Sequence, residues 1–280
     1  AIMRQIVAEA VGVPIERVRV ITGDTLTTPY GGGTWACRGA GIGGEAALQA
    51  GMAVKEAALK VAGAMLQAAP EALDLVNGEI VEKATGAVRM PLAELGRVVY
   101  FRGDTLPPDV PRELMQTRHF TPKQFPFAFT NGIQASYVEV DTATGLVKLL
   151  KHWVVEDCGR VINPLLVDEQ VRGGVVQGLG GALYEHCLYS PEGQLLVGTM
   201  ADYLVPMAAE MPDIEVGHVE TPTRESLLGA KGAGEAGTAG APAAVMNAIN
   251  DALRPFKARV LAQPFTPERI LAALGTVPAR

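Results

Sequence analysis

The chain has 280 residues, of which 48% are hydrophobic and 19% charged, and its formal net charge is −6. That balance excludes an intrinsically disordered chain, which needs low hydrophobicity and high net charge. It also argues against a nucleic-acid-binding surface, which needs clustered Lys and Arg to neutralise phosphates.

In chain order, the apolar spacing of Ile2, Ile6, Val7, Ala10 and Val11 predicts a helix to Val11. A short strand is expected over residues 17–22, where Val18 and Val20 alternate with Arg17 and Arg19. After a glycine-dense loop, an alanine-rich helix is expected from Glu45 to about residue 67, with Ala46, Met52, Ala53, Ala57, Val61 and Met65 near one face and Pro70 as its stop. A weaker β stretch over residues 80–90 is broken at Thr85-Gly86. Residues 102–126 are proline-rich and aperiodic, and read as a long loop or linker. A hairpin follows, with strands over 135–141 and 146–156 joined by Thr142-Ala-Thr-Gly145. Residues 167–186 read as a helix and 214–220 as an alternating strand. A helix over 241–253 places Pro242 in its first turn, where proline is tolerated. Helices mixed with antiparallel hairpins predict an α+β fold of mixed antiparallel sheets with packed helices. The expected units are residues 1–104 and 127–280.

The three cysteines, Cys37, Cys158 and Cys187, form no CxxC pair. An odd count in a chain this long gives no disulfide framework and points to a reducing compartment, the cytoplasm by default. Charge-free runs such as 236–250 and 173–184 are too short to cross a bilayer. The chain opens on Ala-Ile-Met-Arg, already in a helical pattern, so a piece of a longer polypeptide is expected.

Glycine is concentrated. Of the chain's 32 glycines, seven fall in residues 30–44, five in 173–181 and five in 229–242. Each segment borders or lies within a predicted helix. Glycine allows close backbone approach, and a helix N-terminus offers unpaired N–H groups to an anion. Any one segment is equally well explained by turns and close helix packing. Three together point to a phosphate-bearing cofactor gripped largely by main chain. Gly39-Ala-Gly-Ile-Gly-Gly44 satisfies GxGxxG, but no hydrophobic strand precedes it and no strand-borne acid follows at the right distance. A nicotinamide-dependent dehydrogenase therefore fails on context.

Glu235 is a lone acid in AKGAGEAG (230–237), immediately before an apolar helix. Partial desolvation there would raise its pKa toward that of a useful base. The alternative is a carboxylate that supports the helix through its dipole. His119, His152, His186 and His218 are scattered without HxH or HExxH spacing, and no GxSxG elbow occurs, so neither side-chain metal ligation nor serine-nucleophile chemistry is expected.

Three blocks carry a family likeness: TPYGGGTWACRGAGIGGE over 28–45, DCGRVINP over 157–164 with GGVVQGLGGALYE over 173–185, and GAKGAGEAGTAGAP over 229–242. In that order, and with DYLVP at 202–206 and ETP at 220–222, the chain resembles the molybdenum-binding large subunit of the xanthine oxidase family, the molybdenum hydroxylases. The likeness spans nearly the whole chain and matches the C-terminal part of such a subunit.

The resemblance implies a molybdenum pyranopterin cofactor, molybdopterin cytosine dinucleotide, whose own dithiolene holds the metal. It places Glu235 as general base beside the metal, and Gln177 and Gly178 near the metal and pterin. Ala36, Cys37, Arg38 and Gly39 match the loop beneath the cofactor, and Lys231, Gly232 and Gly234, which flank the base, are implied cofactor contacts, with Lys231 either meeting an anionic group or standing as a solvated loop lysine. The implied reaction oxidises an aldehyde, N-heterocycle or similar small substrate with water-derived oxygen. Electrons would leave through iron–sulfur and FAD partners, and the upstream half of the large subunit would complete the pocket. Two further readings are a carbon monoxide dehydrogenase large subunit, and a split or non-catalytic piece that needs a partner chain.

Overall fold

A computed structural model describes residues 1–124 and 129–278. The chain divides into two compact units, Ala1–Phe125 with Arg224–Leu228, and Pro126–Thr223 with Gly229–Arg280.

In the first unit, α1 (Ile2–Val11) ends on Gly12, left-handed at φ 88. A Cβ at Gly12 would lie 1.9 Å from the Leu75 carbonyl oxygen, so conformation and space both demand glycine. The strand expected over 17–22 does not form. A 3-10 turn, Ile15–Arg17, is followed by unpaired chain with Val20 and Ile21 exposed, so no neighbour rewards the alternation. A π-helical turn, Gly39–Gly44, runs directly into α2 (Glu45–Leu66). Its buried stripe is Ala57, Ala58, Val61 and Ala62; Met52, expected on that face, is exposed. The helix ends at left-handed Gln67, three residues before Pro70.

A three-stranded antiparallel sheet follows: β1 (Leu73–Val76), β2 (Glu79–Glu82) and β3 (Val88–Pro91). The last two are the expected broken β stretch; β1 was not foreseen. Nor was α3 (Leu92–Phe101), which buries Leu95, Val98 and Val99. Beyond residue 104 the chain is irregular, yet Leu106, Val110 and Leu114 pack on the core of this unit, so the segment is not a free linker.

The second unit is built on β4 (Asn131–Val140) and β5 (Val147–Asp157), paired antiparallel from Asn131↔Asp157 to Val140↔Val147. Asp141 shapes the turn, accepting from the Ala143 amide at 2.9 Å and the Thr144 hydroxyl at 2.7 Å. Helix α4 (Pro164–Leu183) starts with Pro164 at its first position, and the Asn163 side chain caps it by accepting from Leu166 N. The chain then returns as β6 (Ile214–His218), parallel to β5. This crossover makes the sheet mixed, in the order β4-β5-β6.

Helix α5 (Ala236–Leu253) begins five residues earlier than the sequence pattern indicates. Pro242 therefore lies inside the helix rather than in its first turn. A short α6 (Pro267–Ala273), capped by the Thr266 hydroxyl, closes the unit and was not foreseen. The core joins Val171, Val175 and Leu179 of α4 to Ala241, Val245 and Ile249 of α5. Among the described residues, no helix is long and apolar enough to cross a membrane.

Candidate functional site

The expected site residues fall in both units, and each unit is described by itself. In the first, the glycine loop is folded around two side chains. Arg38 donates from Nε and Nη2 to the Gly33 carbonyl at 2.9 and 2.8 Å, and from Nη2 to the Gly31 carbonyl at 2.9 Å. Its guanidinium lies 4.7 Å from the centre of the Trp35 ring, and Trp35 Nε1 donates to the Gly32 carbonyl at 2.8 Å. Three successive carbonyls are thus turned onto a cation and an indole N–H. That lowers the negative potential the loop presents to an anionic ligand.

Ala36 and Cys37 both hold left-handed backbone, at φ 48 and 56. For residues with a Cβ this costs about 1–2 kcal/mol each and marks a segment that its surroundings constrain. The loop borders a cleft of about 640 Å³ lined by Tyr30, Gly31, Gly33, Arg38, Gly39 and Gly43. A Cβ at Gly31 would meet nothing within 4 Å, so this glycine keeps open space, whereas one at Gly43 or Gly44 would press on Met3, or on Ile6 and Leu228. The same glycine run therefore serves a cleft at one end and packing at the other.

Glu45, which sequence reasoning did not single out, is wholly buried at the start of α2. Its carboxylate accepts from the Leu228 amide at 2.8 Å and from Gln49 Nε2 at 2.7 Å. A buried acid at a helix start is stabilised by the helix dipole as well as by these donors.

In the second unit, Glu235 sits at the residue preceding α5 and is exposed. Its side chain makes no capping hydrogen bond, although its carbonyl accepts from Ala239 N at 3.2 Å. The carboxylate is therefore not a helix cap. Nor does this chain bury it, so the desolvation expected from its apolar neighbours is not supplied by them.

The surrounding backbone is held closely. Gln170 Nε2 donates to the Gly234 carbonyl at 3.0 Å, and the Thr238 hydroxyl faces the Gly174 carbonyl at 3.0 Å and Gln177 Oε1 at 3.2 Å. Exposed Gln177 thereby meets the first turn of α5, at Thr238, three residues after exposed Glu235.

Gly178 is buried, and a Cβ would lie 2.8 Å from the Thr238 carbonyl oxygen and 2.9 Å from Ala241 Cβ. Its hydrogen lets α4 and α5 close on each other.

Lys231 has its anion within the chain. Its ammonium is buried and donates to Asp157 Oδ2 at 3.0 Å and to the Thr221 hydroxyl at 2.7 Å. Thr221 in turn donates its hydroxyl to Asp157. Burial alone would raise the Asp157 carboxyl, but the Thr221 hydroxyl, the Gly159 and Thr221 amides and Lys231 together hold it at about 2. Gly232 takes a hydrogen bond on its carbonyl from Thr130 Oγ1 at 2.9 Å, and the Gly234 carbonyl is engaged by Gln170 as above. The loop from Lys231 to Glu235 is a fastened one.

His152, read from sequence as one of four scattered histidines, is wholly buried on β5, and burial drives its imidazole down to about 4. Among the described residues, no cluster of three or more His, Cys, Asp or Glu is arranged to hold a metal ion.

Residues 1–212 match the family model described as a molybdopterin cofactor-binding domain. The chain is 37% identical over 271 residues to the nicotine 6-hydroxylase large subunit of Paenarthrobacter nicotinovorans, covering 97% of this chain and 33% of that one. It is 30% identical to the carbon monoxide dehydrogenase large chain of Hydrogenophaga pseudoflava, covering 96% and 33%. The crystal structure of quinoline 2-oxidoreductase from Pseudomonas putida 86 superposes with a TM-score of 0.88 at 37% identity, over 99% of this chain and 35% of that one. The chain thus spans about a third of the length of the relatives it matches. With 212 of its 280 residues inside the family model, the chain belongs to the molybdopterin cofactor-binding domain family.

Proposed function

We propose that these residues form part of the active site of a molybdenum hydroxylase, with Glu235 as its general base. The observation that carries this reading is the state of Glu235. It is an exposed carboxylate at the start of α5, with the carbonyls on either side of it engaged by Gln170 and Gln134, and with Thr238 of the same turn bonded to Gln177.

The loops fit the pyranopterin in chemical terms. Open glycine positions beside a cleft of about 640 Å³ admit a flat, acceptor-rich ligand, and Arg38 turns the loop carbonyls away from its charge. Ala36, Cys37 and Gly39 of the first unit, and Gln177, Gly232 and Gly234 of the second, are the cofactor contacts that the family likeness supports. When bound, the cofactor supplies the metal, its ligands and the two-electron redox change. A Glu235 carboxylate oxygen takes up the proton lost by the attacking oxygen nucleophile. The Gln177 amide both donates and accepts, and so can orient a polar ligand edge beside it. Gly178 and Lys231 act through the fold, one by helix packing and the other by fastening the loop that ends in Glu235.

The substrate we favour is an electron-poor N-heterocycle, because both 37%-identical relatives are named for such compounds, nicotine and quinoline. The cytosine dinucleotide form of the cofactor, iron–sulfur and FAD partners, an upstream portion completing the pocket and a cytoplasmic setting belong to the same proposal. In the complete enzyme, Glu235→Gln should lower turnover by at least about a hundredfold while molybdenum content stays near normal. Near-normal turnover would remove Glu235 from the chemistry.

A further inference from the structure

Glu235 stands in a run that is intrinsically loose. Gly234 precedes it and Gly237 follows two residues later, and glycine backbone holds no direction of its own. A base must be held in place to be effective, since a misplacement of about 1 Å can cost a hundredfold in rate. The clamps from α4, through Gln170 and Thr238, account for one side of this turn. On the other side the contact comes from β4.

Gln134 on β4 points its amide nitrogen at three oxygens: the carbonyls of Gly237 at 3.0 Å and Ala236 at 3.2 Å, and Glu156 Oε1 at 3.4 Å. All three can only accept, or do so by preference, so the amide orientation is fixed: the nitrogen faces α5 and Oε1 faces the other way. Oε1 then lies 3.1 Å from His152 Nε2, which must carry the ring proton. His152 Nδ1 is left as an acceptor, and the Ser136 hydroxyl donates to it at 2.9 Å. Ser136 is the cross-strand partner of His152 and lies two residues after Gln134, on the same face of β4. Every polar atom in the chain Ser136–His152–Gln134–α5 has a partner and only one consistent proton arrangement.

Two glycines make room for this network. A Cβ at Gly240 would lie 2.9 Å from Gln134 Cδ, and one at Gly132 would fall within 2.6 Å of all three atoms of the Glu156 carboxylate group. A buried polar chain between a sheet and a helix adds little stability over apolar side chains of the same shape. It does fix one geometry where apolar packing would allow several.

Resting on the reading of Glu235 as the base, we propose that Gln134 is a positioning residue. Its amide, oriented by His152 and Ser136, fixes the first turn of α5 and with it the place of the Glu235 carboxylate. Gln134→Met keeps the length of the side chain and removes the donor.

The test uses the complete enzyme, with three readouts. Gln134→Met should lower kcat about tenfold and leave KM within about twofold, because ground-state binding is untouched. Amide hydrogen exchange over residues 236–240 should rise about tenfold, with molybdenum content unchanged. In a Glu235→Gln background the same substitution should remove no further turnover. Unchanged kcat and exchange in a metal-loaded Gln134→Met enzyme would overturn the proposal. So would a proportional loss of turnover in both backgrounds, which is the mark of a general structural defect. If Gln134→Met fails to assemble, Ser136→Ala, which frees only the far end of the chain, should show the same kcat loss to a lesser degree. A normal kcat in that variant counts against the proposal. Failure of the parent reading looks different: Glu235→Gln alone would then turn over normally.

Discussion

At the scale of single residues, the second unit places neutral and charged polar groups in its interior under opposite rules. His152 is held near 4 by burial, against 6.5 when unfolded, so the unfolded chain takes the proton first. Its contribution to stability is complete above about pH 6.5 and is lost as the pH falls toward 4, by about 3 kcal/mol. Asp157, held at about 2 against an ordinary 3.8, keeps its contribution above about pH 3.8. That contribution, about 2 kcal/mol, disappears between 3.8 and 2. Burial raises the Glu156 carboxyl, so its uptake of a proton favours the folded state as pH falls and partly offsets the loss at His152. Comparing denaturant midpoints of the parent and His152→Gln from pH 7.5 to 4.5 separates the two. The parent should lose more stability across that range than the variant; parallel curves would contradict the assignment. Removing the Asp157 carboxylate by Asp157→Ala leaves the Lys231 ammonium buried without its counter-charge and should cost about 3–5 kcal/mol in the same assay.

The position of Glu235 was legible in the sequence, because a single acid among glycines and alanines before a helix is conspicuous. The environment of Glu235 was not. Its exposure and the engagement of Gly234 and Ala236 depend on Gln170 and Gln134, 65 and 101 residues away by subtraction of their numbers. Neither glutamine carries a local signal. Gln134 sits at an inward position of an alternating strand, where a polar residue is out of pattern; that was the one clue available.

At the scale of elements, the glycines of α4 divide by what they face. Gly174 and Gly178 lie against α5, where a Cβ would meet the backbone of Gly237 and Thr238 at 2.8–3.1 Å. A Cβ at Gly173 would meet nothing within 4 Å. Gly178→Ala should therefore destabilise the unit by about 1–3 kcal/mol through forced separation of the helices. Gly173→Ala should stabilise it by up to about 1 kcal/mol through helix propensity. Equal effects on the unfolding midpoint would refute the packing assignment.

Helices α1 and α2 and the β4–β5 hairpin were legible because each carries a sustained period and a stop or turn signal; α4, expected over 167–186, forms over Pro164–Leu183. The start of α5 was not. Residues 236–240 are glycine, alanine and threonine without apolar period, and helix is maintained there by close contact with α4. In α3, Leu92, Leu95 and Val99 do keep a helical period, but Gly96 and the β-formers Val98, Val99 and Tyr100 obscure it. The strand expected over residues 17–22 had the right alternation and no partner.

At the scale of the whole molecule, each unit carries a glycine-rich loop of its own: residues 30–44 in the first and 229–242 in the second. The family was legible from the order of the three blocks, of which the first two lie within the residues 1–212 that match the family model. Which glycines serve the cofactor and which serve packing was not legible, since both tasks call for the same residue. Gly31 faces open space, whereas Gly44, Gly174 and Gly178 face neighbouring atoms.

The central claim, a cofactor site with Glu235 as its base, is tested most directly by the molybdenum and nucleotide content of the complete subunit that carries these residues, purified from a molybdenum-competent host. Near-stoichiometric molybdenum and released CMP are expected, retained in Glu235→Gln while turnover falls by at least about a hundredfold. A folded subunit with neither molybdenum nor nucleotide would contradict it.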